Sequence, residues 1–221
     1  MVAVLAADMV GFSRLMEGDE EGTLTRQKRY FDELIGPAIL REHGRIVKLT
    51  GDGLIAEFAS VVDAVRCAVA IQRKMAELEA SEPEARAIRY RMAVNLGDVI
   101  FDGDEIYGDG VNIAARLEGL AEPGGVVISG TAYDHLKSNV DVRYDDLGEQ
   151  QLKNISTPVR VYRVVDRPED VGAVYSRHRH RWPWFAAATA LLLVAGANWW
   201  MLIVPSDSDG AGSVAELKAL P

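Results

Sequence analysis

One cysteine, Cys67, is all the sulfur chemistry this 221-residue chain has beyond its methionines. An intramolecular disulfide is therefore excluded, and the chain reads as built for a reducing compartment. Cys67 sits in VRCAVAIQ, where a small buried hydrophobe on a helix is the expectation. Basic charge is also short. There are 24 Lys and Arg against 33 Asp and Glu, a formal net charge of -9. A nucleic-acid partner selects for the opposite balance and is not expected, whereas a small phosphate-bearing ligand needs only a few local donors. Internal repeats and low-complexity tracts are absent. Tryptophan is missing from the first 181 residues, and all four lie between Trp182 and Trp200.

That placement marks a change of composition. SRHRHR ends at Arg181, and no charged residue follows until Asp207. At ~1.5 Å rise per residue, residues 182–205 are long enough to span a hydrocarbon core of about 30 Å. Trp182, Trp184, Trp199 and Trp200 lie near its ends, where amphipathic rings favour the interface. Arg177, Arg179 and Arg181 precede it and two aspartates follow. The positive-inside rule then puts the N-terminal part in the cytoplasm of a single-pass inner-membrane protein. The expected organisation is a catalytic domain at 1–165, a basic linker at 166–181, a transmembrane helix at 182–205 and a short extracytoplasmic tail at 206–221.

Ahead of the linker, strand and helix periods alternate. VAVLAA (2–7) reads as a buried strand ending at Asp8. A long helix over 19–44 follows, kinked at Pro37 and stopped at Gly44. KLTGDGLIAEF (48–58) reads as a hairpin with a two-residue turn. Ser60 caps a helix over 61–80. IRYRMAVNLG is a strand with one buried face, followed by a short strand near Val99. A helix spans about 110–121, VVIS is a strand, GTAYDHLKSN a short helix, and VDVRYDDLGE, QQLK and PVRVYRVV form a terminal strand group. The order βαββαβ plus C-terminal strands is an α+β, ferredoxin-like split βαβ core, with one sheet covered by helices on one face.

In that fold the first strand and the hairpin are neighbours. Asp8, at the end of one, then meets Asp52, at the tip of the other. Taken alone, Asp52 reads as a turn residue and Asp8 as a helix N-cap. As a pair they read as hard oxygen ligands for Mg²⁺ or Mn²⁺, two ions per site. The glycine in DMVGFS turns the backbone toward a helix start whose free amides suit phosphate oxygens, and Gly11 and Phe12 are candidates for that contact.

AADMVGFSRLM, GRIVKLTGDGLIAEF, NLGDVIFDGDEIYGDGVNIAARLEGLAEPGG and DLGEQQLKNISTPVRVYRV closely resemble the class III nucleotidyl cyclases, across residues 1 to about 165. More narrowly, the layout is similar to bacterial adenylate cyclases with an N-terminal catalytic domain and a membrane span after it. The resemblance implies a lyase acting on ATP. Asp8, Asp52 and Met9 belong to the metal site. Lys48 and Glu105 read the purine, Asn112 orients the ribose, Arg116 stabilises charge on the α-phosphate, and Lys153 contacts the triphosphate. It further implies a head-to-tail homodimer in which one protomer supplies the metal aspartates and the other the remaining groups. Glu105 departs from the family's usual aspartate.

The residue chemistry accords with ATP. Adenine offers an acceptor at N1 and a donor at its amino group, complementing a lysine and a carboxylate; guanine presents the reverse. Asn112 and Arg116 are four apart on one helix face, and the planar guanidinium suits phosphate. Without the resemblance, Lys48 reads as a solvated strand face, Arg116 as a partner for Glu118 or Glu122, Asn112 as helix surface and Lys153 as edge protection. A guanylate cyclase and a silent nucleotide-binding regulator on the same fold are the alternatives.

Overall fold

The computed structural model describes residues 1–103, 105–136, 140 and 142–165. The linker, the apolar 182–205 stretch and the tail lie outside the described residues. Among the described residues no helix is long and apolar enough to cross a membrane.

Strand β1 (Val2–Met9) opens the fold and lies inside the sheet, between two other strands. After it come α1 (Phe12–Gly18), α2 (Glu20–Tyr30), a wide helical turn at Phe31–Ile35 and α3 (Gly36–Arg41). The hairpin β2 (Arg45–Leu49) and β3 (Gly53–Phe58) leads into α4 (Val61–Leu78) and β4 (Tyr90–Gly97). A small hairpin, β5 (Ile100–Asp102) and β6 (Glu105–Tyr107), precedes α5 (Asp109–Leu117). β7 (Val126–Ser129), α6 (Gly130–Leu136), β8 (Arg143–Gln150) and β9 (Val159–Val165) complete the chain. The main sheet runs β2-β3-β1-β4-β7-β9-β8. Its first four strands are antiparallel neighbours in the order that a split βαβ unit demands. β7 adds parallel to β4.

Period-two alternation sorts β1 between two cores. Ala3, Leu5, Ala7 and Met9 join α4 residues such as Val65, Ala68 and Ile71 in the main cluster. Val4 and Ala6 face the other way, with Val47, Ile55 and Ala114. Ala114 belongs to α5, so helices cover both faces rather than one. A strand as apolar as VAVLAAD needs both sides sheltered. α5 packs on β4 and β1.

The long 19–44 helix is instead three segments. The helix begins where expected, with Asp19 as its cap, accepting a hydrogen bond from the Gly22 N–H at 3.0 Å. Pro37 produces no simple kink. The helix widens just before it, and the Gly36 N–H donates to Phe31 O, five residues back. The wider turn answers the crowding that a proline ring imposes on the preceding carbonyls. The helix stop also differs. His43 takes the left-handed conformation (φ 60), and the Gly44 N–H donates to Ile39 O at 2.8 Å. Gly44 is required for space, since a Cβ there would lie 2.3 Å from the Phe58 ring.

Three further elements depart from expectation. The helix over 110–121 ends at Leu117, with one tight turn over Glu118–Leu120. The strand near Val99 is the β5–β6 hairpin, outside the main sheet. Only Gln150 of QQLK is in a strand; Gln151, Leu152 and Lys153 fall in the loop between β8 and β9, where Leu152 is buried. A buried loop leucine mimics strand alternation in sequence.

Candidate active site

Register brings the two aspartates together. Asp8 lies opposite Gly53, and the Met9 N–H donates to Asp52 O at 3.0 Å. The turn between β2 and β3 has Gly51 at φ 91, the positive value a two-residue hairpin turn takes at its first central position. Gly53 lets the strands approach, because a Cβ there would meet Ala7 O at 2.2 Å. The Asp8 and Asp52 carboxyls face each other closely enough to share a proton. Burial pushes the Asp8 carboxyl above its usual range, the Asp52 charge adds to this, and nearby Arg91 opposes it. An Asp8 carboxyl raised by burial and by a converging carboxylate is what a divalent cation would relieve.

Among the described residues no group of three or more His, Cys, Asp or Glu side chains gathers as a metal cage. Two carboxylates and a main-chain carbonyl nevertheless fit Mg²⁺ or Mn²⁺, which keep water and substrate oxygens in their remaining positions. The Met9 side chain is buried in the main core, so only its backbone can serve such a site. Gly11, at φ 67, turns the chain into α1; Phe12 is the first residue of that helix and packs partly on the core. Their backbone amides are what they offer a phosphate.

The strand register skips between Ile46 and Lys48. This bulge puts Val47 and Lys48 on the same side. Lys48, opposite Ile55, therefore shares the sheet face of Asp8. Asn112 and Arg116 are exposed on α5, whose Ala114 and Leu117 are buried against the sheet. Glu105 is exposed at the start of β6 and accepts a hydrogen bond from the Tyr107 hydroxyl at 2.5 Å. Lys153 is exposed beside Asn154, which has a positive φ of 62. The structure thus joins Asp8 to Asp52 and leaves Lys48, Glu105, Asn112, Arg116 and Lys153 solvent-facing within the one protomer. None of these five has a hydrogen bond or ion pair to Asp8 or Asp52.

Two residues that the sequence pattern passed over sit beside the pair. Arg91 is opposite Asp8 on β4, and its Nε is buried without a hydrogen-bond partner. Its alternating position in IRYRMAVNLG was the available signal, an arginine on the strand's other face. Glu118, in the turn after α5, is half-buried. Burial pushes its carboxyl up to about 7, with the Asp8 charge next in weight, Arg91 opposing and Asp52 adding. Sequence carried no signal for Glu118, because only the return of the α5 turn to β1 and β4 brings it near Asp8.

The family profile for the adenylate and guanylate cyclase catalytic domain matches residues 1–165. This chain belongs to that family. A Rhizobium meliloti (strain 1021) protein provisionally named adenylate cyclase 3 is 45% identical over 162 residues, covering 73% of this chain and 28% of that protein. The chain thus spans under a third of that cyclase relative's length. Among solved structures, an adenylate/guanylate cyclase/hydrolase from Silicibacter pomeroyi is 45% identical with a TM-score of 0.71, covering 75% of this chain and 96% of that one. The adenylyl cyclase CyaB from P. aeruginosa is 27% identical with a TM-score of 0.64, covering 77% and 96%. The cyclase domain accounts for every described strand and helix.

Proposed function

We propose that this chain is an adenylate cyclase, converting ATP to 3′,5′-cyclic AMP and pyrophosphate at sites shared between two copies. The observation that carries this is the Asp8–Asp52 pair on the same sheet face as Lys48, in a cyclase domain whose base- and phosphate-directed groups point to solvent. Within one protomer these groups make no hydrogen bond or ion pair to Asp8 or Asp52, so in this reading a second copy completes the site. Bound Mg²⁺ or Mn²⁺ would acidify the ribose 3′-hydroxyl and neutralise phosphate charge.

The chain's own residues do the rest. Asp8, Asp52 and the Met9 carbonyl hold the cations. The Gly11 and Phe12 amides receive phosphate oxygens, and Arg91, opposite Asp8, supplies positive charge beside them. From the partner copy, Lys48 donates to adenine N1 and Glu105 accepts from the adenine amino group. Asn112 holds the ribose so that the 3′-oxygen stays in line with the α-phosphate. Arg116 and Lys153 meet the charge that develops on the phosphates. Guanine would leave Lys48 facing a ring N–H, a mismatch of about 1–3 kcal/mol.

The test is turnover of ATP against GTP with Mg²⁺ and with Mn²⁺. Cyclic AMP formation at least about tenfold above cyclic GMP is expected from that mismatch. Preferred GTP turnover, or nucleotide binding without product, overturns the assignment. We also propose membrane attachment through residues 182–205, on sequence grounds alone. Extraction of the full chain by alkaline carbonate without detergent overturns it.

A further inference from the structure

The hairpin tip has two sides. Asp52 and Lys48 serve one of them. On the other, a cavity of about 370 Å³ lies between α2, the wide turn and the tip. Phe31, Ile35, Leu54 and Tyr90 line its interior, and the exposed Leu24 (43%) and Leu49 (60%) stand at its mouth. Asp52, Gly51 and Gly53 also border it, so the cavity and the carboxylate pair share a wall. Gln27 connects the two sides of the cavity, its amide donating to Gly51 O at 2.8 Å.

We propose that this cavity binds a small, uncharged, mostly apolar molecule and that its occupancy sets the position of Asp52. Regulation in this form rests on the cyclase reading above. The chemistry of the walls selects the class. The interior is apolar, so a charged body would shed its hydration there without a partner. Asp32 and Asp52 outnumber Lys28 among the ionisable groups at the border, which disfavours an anion. The volume admits a body of roughly two linked rings. The two leucines at the mouth are exposed and adjoin the apolar interior, so a bound apolar molecule would cover them.

Coupling follows from the connection at Gln27. The structure shows the tip with the Gln27–Gly51 hydrogen bond made; in the proposed coupling the tip also takes a second arrangement in which it is broken. A ligand wedged against Leu54 and Phe31 contacts them differently in the two, and so shifts their populations. Asp52 moves with Gly51, its chain neighbour, and the spacing to Asp8 changes with it.

The experiment uses the full-length chain and N-phenyl-1-naphthylamine, a neutral apolar fluorophore. Two readouts need neither metal nor nucleotide: probe fluorescence, and hydrogen exchange of the amides at Gly51, Asp52, Gly53 and Leu54. Saturable binding is expected, weakened about tenfold in Leu24→Trp and in Leu24→Glu, which block or charge the mouth at an exposed position. In the wild type the probe alters tip exchange by several-fold. Gln27→Met retains probe binding but loses that response. Melting curves confirm that each variant is folded. Equal probe binding in wild type and both Leu24 variants overturns the site, and unchanged tip exchange in the probe-saturated wild type overturns the coupling. Probe-dependent exchange in a protein that forms no cyclic nucleotide leaves the site standing and removes the cyclase reading instead.

Discussion

Glu118 is an acid kept in the wrong surroundings for its charge. Burial and the neighbouring Asp8 raise its carboxyl to about 7 from an ordinary 4.5. The folded state therefore holds the proton more tightly than the unfolded chain. Stability from this group is complete below about pH 4.5 and is lost as pH rises toward about 7. Without divalent cations, Glu118→Gln is expected to raise stability at pH 8 by about 1 kcal/mol, discounted for partial solvation, and to change little at pH 4.5. Thermal melting at the two pH values checks this; equal effects at both mean that the substitution acts through packing. Gly53 is the other decisive residue. Gly53→Ala drives a methyl into the Ala7 carbonyl, so the β1–β3 register opens where Asp8 and Asp52 meet. Turnover is expected to fall by about a hundredfold, the scale reached by roughly 1 Å of misplacement in a site. Near-normal turnover would show that the approach of β1 and β3 is dispensable.

At the scale of elements, one buried acid ties the layer of helices together. Glu79, at the end of α4, accepts from Arg26 Nη2 at 2.6 and 2.5 Å, from the Tyr30 hydroxyl and from the Ile88 N–H at 2.8 Å. Burial pushes its carboxyl up, but the hydrogen bonds from Arg26, Tyr30 and Ile88 outweigh it and hold it below the usual range. Its stabilisation is thus present above the unfolded carboxyl range and is lost as pH falls through the lowered folded value. Glu79→Ala leaves Arg26 and the Ile88 N–H without their partner and is expected to cost about 3 kcal/mol at pH 7. Denaturant unfolding at pH 7 and pH 3 measures both effects, and a loss that does not shrink at the lower pH excludes the charged network as its source. Gln72 does related work on α4. It is buried on that helix among apolar residues, and the fold shows why an amide belongs there. Its Nε2 donates to Tyr90 O and Gly125 O, both at 2.9 Å, joining β4 to the approach of β7.

Across the whole molecule, the proposed sharing of sites makes a single copy incomplete, since Asn112 and Arg116 face solvent and make no hydrogen bond or ion pair to Asp8 or Asp52. Asp52→Ala and Arg116→Ala are each expected to be nearly inactive. Mixed, they form some dimers with one fully native site, and a substantial fraction of activity returns. No recovery, although mixed dimers are shown to form, refutes sharing between protomers. Specific activity should also rise with protein concentration until the dimer saturates.

Much of this plan was legible because it follows from local periodicity. The apolar run before Asp8, the Gly51–Asp52 turn, the Ser60 cap and the spacing of Asn112 and Arg116 each follow from neighbours within a few residues. The misplacements share one cause. Gly44 and Leu152 owe their roles to partners elsewhere in the fold, the Phe58 ring and the cluster of Leu117, Val127 and Val161, and a one-dimensional pattern reads them as stop and strand. Asp8 and Asp52 were within reach because adjacent strands in a split βαβ core have one register. Arg91 and Glu118 were not, because a charge beside a strand end acquires meaning only from what packs over it. By itself the sequence settled the cyclase family, the antiparallel core and the ends of the strands that carry the acids. Tertiary structure decided that α5 covers the second face, that a bulge brings Lys48 only as far as the sheet face of Asp8, where it stays exposed, and that Arg91 and Glu118 stand beside Asp8. Those are matters of register and crossing between distant segments, on which local propensity has no purchase.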